Sequence, residues 1–251
     1  MNKEEHYLKN RFLDLANIAY ERNIYTNTDF LNINEINILN SLSSQLPPVH
    51  IELSGGNNYA ERKIAVFSNF DIGYEQNIPI SVIKIAPISP QFADSFSHRD
   101  FLGAILNLGI NRNKTGDIFI KDNIAYVYCM DDIAEYIADN LNKVRHTLIK
   151  TEICDIVNLN ITPELKHITG TVANIRLDSL IATAFNTSRN SIISLIECGK
   201  VFVNGKIITS NGYAVKENDI ISVRGKGRFI YNGTLGVTKK GRNMVSIHLY
   251  V

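Results

Sequence analysis

The chain of 251 residues is 45% hydrophobic and 20% charged, a composition that is typical of folded globular proteins and excludes a disordered tail. Its formal net charge of +1 identifies no polyanionic partner for the chain as a whole. The charge is unevenly divided, however: residues 170–251 hold eleven Lys or Arg and four Asp or Glu, a net charge of +7, whereas residues 1–169 carry −6. Basic residues concentrated in this way favour nucleic-acid binding, because each neutralised phosphate releases counterions.

The cysteines and the apolar runs exclude several classes of protein. Cys129, Cys154 and Cys198 are far apart and form no CxxC pair, so neither a zinc site nor a disulfide framework is predicted, and no other cofactor is expected. No apolar run approaches the roughly 18 residues of a membrane span, and the polar start MNKEEHYLKN is unlike a signal peptide. We therefore expect a cytoplasmic protein with reduced thiols and no membrane partner.

Residues 1–77 predict a small α/β domain. Apolar residues at helical spacing predict one helix from Glu4 to Arg22 and a second that is capped by Thr28 or Asp29. The two prolines at 47 and 48 would end it. The segments VHIELSG and RKIAVFSNF alternate or run apolar as strands do, with the turn-rich GGNNYAE between them.

Residues 78–168 predict a second domain with the element order βαββαβ. Strands are expected in ISVIKIAPI, DIFIKD, IAYVYCM and KVRHTLIKTEI, and helices in DFLGAILNLGI and DIAEYIADNL. This is the ferredoxin-like arrangement, which RNA-recognition domains share. Tyr126 and Tyr128 fall on one face of their strand. They could stack on bases or belong to the core, and the aromatic consensus of RNA-recognition domains is absent.

The tripeptide His98-Arg99-Asp100 resembles a protein-kinase catalytic loop, but the position that should hold the metal-binding Asn is Ile105. The kinase interpretation therefore fails. What remains is the start of a helix capped by Ser97, with His98 and Arg99 in its first turn. They are candidates for a secondary contact with phosphate or a partner, and a solvated helix end is the alternative.

Residues 169–251 predict a third domain that carries the basic surface, after a linker placed within 152–171 because its periodicity is weak. RLDSLIATAF predicts a short helix, and Ser188 is placed to cap a second helix that ends at Gly199. Asn204-Gly205 is the strongest short signal for a β-hairpin with a type I′ turn. The whole chain therefore reads as an α+β protein of three small domains.

The basic residues of this third domain stand at the joints between elements. Arg176 and Arg189 begin the two helices, where unpaired helical N–H groups would add to phosphate binding. Asp178 is expected to orient one of these arginines, since a bare carboxylate repels phosphate. The candidate RNA-binding residues are Arg176, Asp178, Ser188, Arg189, Lys200, Asn204, Lys206, Arg224, Lys226, Arg228, Lys239, Lys240 and Arg242.

The spacing in the sequence places six of these candidates in two groups. Arg224, Lys226 and Arg228 alternate with glycines in RGKGRF, which predicts one side of an extended segment. Lys239, Lys240 and Arg242 precede the last strand and are expected to extend the same surface into a final hairpin. No catalytic residue and no metal ligand is predicted.

The segments RLDSLI, TSRNSIISLIECGKVFVNGK and NDIISVRGKGRF resemble the RNA-binding domain first recognised in the fourth protein of the small ribosomal subunit. The matching residues are Arg176, Asp178, Ser188, Arg189, Gly199, Val203, Asn204 and Gly205. One departure is Asn218-Asp219, where Gly-Asp is usual, and Asn tolerates the left-handed conformation nearly as well as Gly.

With SHRDFLGAILNLGINRNKTGDI in the middle, the chain resembles the bacterial YlmH family over nearly its whole length. This resemblance implies a non-catalytic factor that binds the large ribosomal subunit, through its RNA and peptidyl-tRNA. It also implies a role in alanine tailing of stalled nascent chains beside the tailing factor RqcH. A monomer is expected.

Two other functions stay open from the sequence. The same RNA-binding module occurs in pseudouridine synthases, although no clustered carboxylates are found here. The acidic residues 1–169 would also permit an adaptor that binds protein during cell division.

Overall fold

The structure is a computed structural model that describes residues 3–69, 78–154 and 165–250. Within these ranges the chain forms six α-helices, two short 3-10 helices and fourteen strands. The chain divides into two compact units, Met1–Thr162 and Pro163–Val251. The mixed α+β class expected from the sequence is confirmed. No helix in the described ranges combines the length and apolar character that crossing a membrane requires.

The first unit begins with two helices packed on a three-stranded sheet of order β1-β3-β2. Phe12, Leu15 and Ala19 of the first helix face Phe67 of the sheet, which is the apolar stripe that the helical spacing predicts. The elements are α1 (Lys3–Arg22), β1 (Thr26–Asn27), α2 (Ile33–Asn40), β2 (His50–Ser54) and β3 (Ile64–Ser68).

The second helix begins later than predicted, because Thr28 and Asp29 have other partners. The Thr28 hydroxyl accepts a hydrogen bond from the Ala65 N–H, and the Asp29 carboxylate accepts one from the Asn113 amide. Asn32 is the N-cap instead: it forms a capping box with Glu35, in which each side chain accepts from the other's backbone N–H.

The rest of the first unit is a five-stranded antiparallel sheet with two helices on one face. The strand order is β5-β6-β4-β8-β7, so the predicted βαββαβ arrangement is present with a short additional edge strand. The elements are β4 (Ile80–Pro87), a 3-10 helix (Pro90–Phe92), α3 (His98–Leu106), a 3-10 helix (Arg112–Lys114), β5 (Thr115–Lys121), β6 (Ile124–Met130), α4 (Asp131–Asn140), β7 (Lys143–Val144) and β8 (Thr147–Cys154).

The segment KVRHTLIKTEI is a hairpin rather than the single predicted strand. Val144 pairs with Thr147, so Arg145 and His146 form the connecting turn. Arg145 has φ = 53°, and a positive φ at the first central residue is typical of two-residue hairpin turns.

The two sheets of the first unit share a core. Phe30, Ile64 and Val66 of the N-terminal part pack against Val82, Phe119 and Tyr128 of the five-stranded sheet. Because this contact covers the face that α3 and α4 leave open, both faces of the larger sheet are buried at its centre.

A buried polar link reinforces this contact. The Asp117 carboxylate accepts hydrogen bonds from the backbone N–H groups of Glu61 and Arg62, and Arg62 donates to the carbonyl oxygens of Phe30 and Thr115. Burial, followed by the neighbouring Arg62 charge, lowers the pKa of Arg112 to about 10. Arg112 stays protonated at neutral pH and donates to the Thr115 and Gly116 carbonyl groups.

The second unit is a six-stranded antiparallel sheet of order β11-β10-β12-β13-β14-β9, with two helices on its inner face. Leu180, Ile192 and Phe229 are fully buried between them. The elements are β9 (Leu165–Val172), α5 (Leu177–Ala184), α6 (Arg189–Glu197), β10 (Val201–Val203), β11 (Lys206–Ile207), β12 (Ile220–Val223), β13 (Gly227–Val237) and β14 (Asn243–Tyr250).

The region predicted as a linker, residues 152–171, contains strand at both of its described ends. β8 extends to Cys154, and β9 pairs with β14 along its whole length. The predicted domain boundary between 168 and 169 therefore lies inside a strand of the second unit. Residues 70–77, which include the other predicted boundary, lie outside the described residues, and the division into three domains stays a prediction.

Candidate nucleic-acid interface

Two short helices begin side by side at one corner of the second unit. Arg176 is the N-cap residue of α5 and Arg189 is the first residue of α6. Ser188 caps α6 as predicted, because its Oγ accepts a hydrogen bond from the Ser191 N–H at 3.3 Å. Both arginine side chains thus leave the corner from fixed backbone positions.

The Asp178 carboxylate joins these two arginines. Arg189 donates to its Oδ2 at 2.8 Å, and the Arg176 Nε lies 3.4 Å from its Oδ1. The Asp178 side chain is 3% exposed, whereas those of Arg176 and Arg189 are 42% and 52% exposed. The carboxylate is therefore buried beneath the two guanidinium groups and holds them on one surface, where roughly half of each can meet a ligand.

The N–H groups at the start of α5 are already occupied, contrary to our expectation. The N–H of Leu177 donates to Tyr213 O at 3.0 Å, that of Asp178 to Asn211 O at 3.4 Å, and that of Ser179 to the Asp178 carboxylate at 2.8 Å. The loop between β11 and β12 closes over this helix end. Phosphate attraction at the start of α5 must therefore come from the Arg176 side chain and not from helical N–H groups.

The hairpin after α6 has the predicted geometry, but one of its residues has a different role. Asn204 and Gly205 have φ of 47° and 75°, as a type I′ turn requires, and Val203 pairs with Lys206. The Asn204 side chain donates to the Asp219 carboxylate at 2.7 Å and accepts from the Ile220 N–H at 2.9 Å. Asn204 therefore stabilises the turn before β12, and its place among the RNA contacts is not supported.

The segment RGKGRF is a turn followed by a strand, so the predicted extended alternation is wrong. Residues 224–226 connect β12 to β13, since Val223 pairs with Gly227. The Arg224 N–H donates to Lys200 O at 2.9 Å, and its guanidinium carbon lies 5.2 Å from the centre of the Phe202 ring. Lys200 and Arg224 are thereby brought together at one end of the sheet.

Arg228 lies on the outer face of the sheet, away from the helices. It pairs with Ser222, next to the buried Phe229 that faces inward, and its guanidinium carbon is 4.1 Å from the centre of the Tyr250 ring. His248 and His167 pair in the adjacent row of the same face. None of the six strands of this sheet contains Asp or Glu.

The last basic group lies apart from the others. Lys239, Lys240 and Arg242 occupy the turn between β13 and β14, and Arg242 donates to Thr171 O at 2.8 Å. β13 has eleven residues and separates this turn from residues 224–226 by roughly 30 Å. The expected continuous surface is therefore divided between two ends of one strand.

The aromatic candidates of the first unit belong to its core. Tyr128 is fully buried against Phe119, with ring centroids 5.7 Å apart, and its hydroxyl accepts a hydrogen bond from the Asn57 amide. Tyr126 packs at the edge of the same cluster. Base stacking by Tyr128 is excluded.

His98 and Arg99 are exposed in the first turn of α3, as predicted. Asp100 accepts hydrogen bonds from the Ser97 N–H and hydroxyl at 2.8 and 2.7 Å. These bonds, more than the nearby Arg145 charge, lower the pKa of Asp100. Asp100 is a helix-capping residue, which removes what was left of the kinase resemblance.

Sequence reasoning missed three features of the surface: Phe202 and Tyr250 beneath arginine side chains, and the loop that covers the start of α5. Nothing in the local sequence indicates them, because each depends on contacts between segments that are distant in the sequence. Within the described ranges no group of three or more His, Cys, Asp or Glu could hold a metal ion.

Two family models match the chain. One, described as "Putative RNA-binding domain in YlmH", matches residues 75–158, and the S4 domain matches residues 175–221. Both matches lie where the sequence predicted RNA-binding folds.

Similar proteins extend the match to nearly the whole chain. The ribosome-associated protein quality control protein P2 of Bacillus subtilis is 30% identical over 245 residues, which are 96% of this chain and 93% of that protein. An uncharacterized RNA pseudouridine synthase homolog of Mycoplasma pneumoniae is 48% identical over 48 residues, 19% of this chain and 16% of its own. The solved structure of cell division protein ylmH from Streptococcus pneumoniae has a similar fold, with a TM-score of 0.53, 18% identity, and coverage of 64% of this chain and 97% of that one.

Proposed function

Because the chain belongs to the YlmH family, we propose that it is a non-catalytic RNA-binding factor of ribosome-associated quality control. Its target is the large ribosomal subunit that retains peptidyl-tRNA, and its role is to support C-terminal alanine tailing of the stalled nascent chain. The name of the Bacillus subtilis relative, similar over 96% of this chain, supports the ribosome-associated role. A cytoplasmic location and a contact with the tailing factor RqcH belong to the same proposal.

The observation that carries the RNA-binding part is the pair of arginines joined by Asp178. Two guanidinium groups held on one surface should bind phosphates more tightly than two mobile side chains, because less side-chain freedom is lost on binding. Lys200, Lys206 and Arg224 add positive charge on the same module. The six strands behind them add no carboxylate that would repel RNA.

The enzyme alternative rests on a narrower match. The pseudouridine synthase homolog shares 48 residues with this chain, which is about the length of the S4 domain match. A module shared by both proteins explains this similarity without a shared reaction. An assay for pseudouridine in RNA incubated with the protein tests the alternative directly.

The proposal is tested by co-sedimentation of the purified full chain with large ribosomal subunits. The variant Arg176→Ala/Arg189→Ala should bind about tenfold or more weakly near 0.1 M salt. The slope of the logarithm of its binding constant against the logarithm of the salt concentration should also be smaller in magnitude by about two units, since two phosphate contacts are lost.

The matched control is Arg11→Ala/Arg22→Ala, which removes two exposed cations from α1 and should bind like the unmodified chain. Circular dichroism should show that both variants are folded. Equal binding by all three proteins, without salt dependence, would refute the proposed RNA-binding surface.

A further inference from the structure

An open groove of about 510 Å³ lies on the helical side of the five-stranded sheet, between α3 and the hairpin of β7 and β8. Three cations line it: Arg99 from the first turn of α3, and Lys143 and Arg145 from the hairpin. All three are exposed. The groove is thus a basic site in the part of the chain that is acidic overall.

The charge balance within the groove stays positive. Among the described residues that line it, Asp100 carries the one carboxylate. That carboxylate is already engaged, because its Oδ2 accepts two hydrogen bonds from Ser97. Its Oδ1 lies 3.9 Å from the Arg145 Nε, a distance at which it orients the guanidinium and leaves it 48% exposed.

The backbone at Arg145, which lines the groove, also has a defined conformation. A residue other than glycine with φ = 53° lies in a sparsely populated region, and such conformations persist only where the surrounding structure requires them. Here the turn between Val144 and Thr147 fixes that conformation. Arg145 is therefore held two residues from Lys143 in a turn of defined geometry.

The usual RNA-binding face of a ferredoxin-like domain is closed in this protein. RNA-recognition domains bind bases on their open sheet face, but here that face packs on the N-terminal sheet, with Val82 and Tyr128 fully buried. Any RNA bound by this domain must therefore use another surface. The described groove residues include no aromatic side chain, so base stacking is not expected there.

We infer that this groove binds the sugar–phosphate backbone of RNA, as a contact separate from the S4 domain. Arg99, Lys143 and Arg145 neutralise neighbouring phosphates, and the absence of aromatic side chains makes the contact independent of base sequence. This inference rests on the proposed RNA-binding function and assigns to residues 75–158 the surface that they would use.

The test measures binding of a fluorescein-labelled RNA hairpin to the full chain by fluorescence anisotropy, from about 50 to about 200 mM KCl. The groove variant is Arg99→Ala/Lys143→Ala/Arg145→Gly, with glycine at 145 because it adopts positive φ without strain. Relative to the unmodified chain, the slope of log affinity against log salt concentration should fall in magnitude by about 2 to 3 units. The affinity at about 0.1 M salt should fall by tenfold or more. Lys143→Glu, a single exposed change, should weaken binding in the same direction.

The matched control is Arg11→Ala/Arg22→Ala/Lys121→Ala, three exposed cations of the same unit outside the groove, and it should bind as the unmodified chain does. If Arg176→Ala/Arg189→Ala weakens binding but the groove variant and Lys143→Glu do not, the groove inference is refuted and the proposed function stands. If neither set weakens binding, both are refuted.

A further experiment tests whether the groove binds RNA or a free nucleotide, since both carry phosphate. Adenosine monophosphate is titrated against the unmodified chain and the groove variant by calorimetry. The groove would be assigned to a nucleotide if the unmodified chain binds adenosine monophosphate saturably, the groove variant does not, and the groove variant keeps its affinity for the RNA hairpin. That result would overturn the role of the groove in binding RNA.

Discussion

In each unit, helices pack on one face of an antiparallel sheet. The two units differ in what covers the opposite face. In the first unit, the face of the five-stranded sheet opposite α3 and α4 is covered by the N-terminal sheet, so Tyr128 is core. In the second unit, the face opposite α5 and α6 carries Arg228 over Tyr250 beside His248. An aromatic residue on the sheet face opposite the helices is therefore a core residue or a surface residue, depending on what else the chain folds against that face.

Replacing Tyr128 is the most sensitive test of the difference between the two units. Tyr128→Ala removes a fully buried ring and should lower the free energy of unfolding of the first unit by about 3–5 kcal/mol. Tyr128→Phe keeps the ring and loses the hydrogen bond from Asn57, which should amount to about 1 kcal/mol. Urea denaturation followed by circular dichroism measures both.

The same variants separate a core role from a binding role. The folded fraction of each should retain the RNA affinity of the unmodified chain. A loss of affinity in Tyr128→Ala at unchanged stability would show that the covered sheet face does meet RNA, and the contrast between the units would disappear.

Replacing Asp178 tests whether the arginines of the second unit depend on their carboxylate. Asp178→Asn keeps the shape of the side chain but removes the charge that pairs with Arg176 and Arg189. The free energy of unfolding should fall by about 1–3 kcal/mol, because hydrogen bonds to a charged group are lost. Affinity for large ribosomal subunits should fall as well, although the surface becomes more positive.

The control for this prediction is Glu217→Gln, which removes an exposed carboxylate of the same unit and should leave affinity equal or slightly higher. If Asp178→Asn instead raises affinity as Glu217→Gln does, the carboxylate only repels phosphate and the positioning role is wrong. Co-sedimentation of both variants at one salt concentration decides between these outcomes.

The smallest expected effect concerns Asn218, where the family pattern usually has glycine. Asn218 has φ = 67°, so the turn keeps the left-handed conformation that glycine would adopt. Asn218→Gly should change the free energy of unfolding by less than about 0.5 kcal/mol, since relief of strain and added freedom of the unfolded chain nearly cancel.

A β-branched residue should behave differently at this position. Asn218→Val should lower the free energy of unfolding by about 1–2 kcal/mol, because a branched side chain tolerates positive φ poorly. Thermal unfolding of the two variants measures the difference. Equal stability would mean that the turn rearranges and that its geometry is not a constraint on the module.

Features that depend on neighbouring residues were predictable from the sequence. The Ser188 cap, the Asn204-Gly205 turn and the βαββαβ order each follow from local spacing or turn chemistry, and the structure contains all three. The same holds for the expectation that Asp178 contacts an arginine, since both arginines stand at the starts of adjacent helices.

Features that depend on distant segments were not predictable. Thr28 and Asp29 fail as caps because Ala65 and Asn113 bind their side chains. The N–H groups of α5 are taken by a loop more than thirty residues further along the chain. The local sequence shows which side chains and N–H groups are able to form hydrogen bonds at a helix end. Which partner each of them binds depends on the tertiary fold.

The pairing of β9 with β14 has a consequence for how the RNA-binding unit is made. β9 is the first strand of that unit and β14 is the last, and the two are joined residue by residue from Leu165–Tyr250 to Val172–Asn243. During synthesis β9 therefore has no partner strand in this sheet until β14 has left the exit tunnel. A chain that stops before β14 leaves β9 unpaired in this sheet, so the complete six-stranded sheet forms only when translation has passed Tyr250.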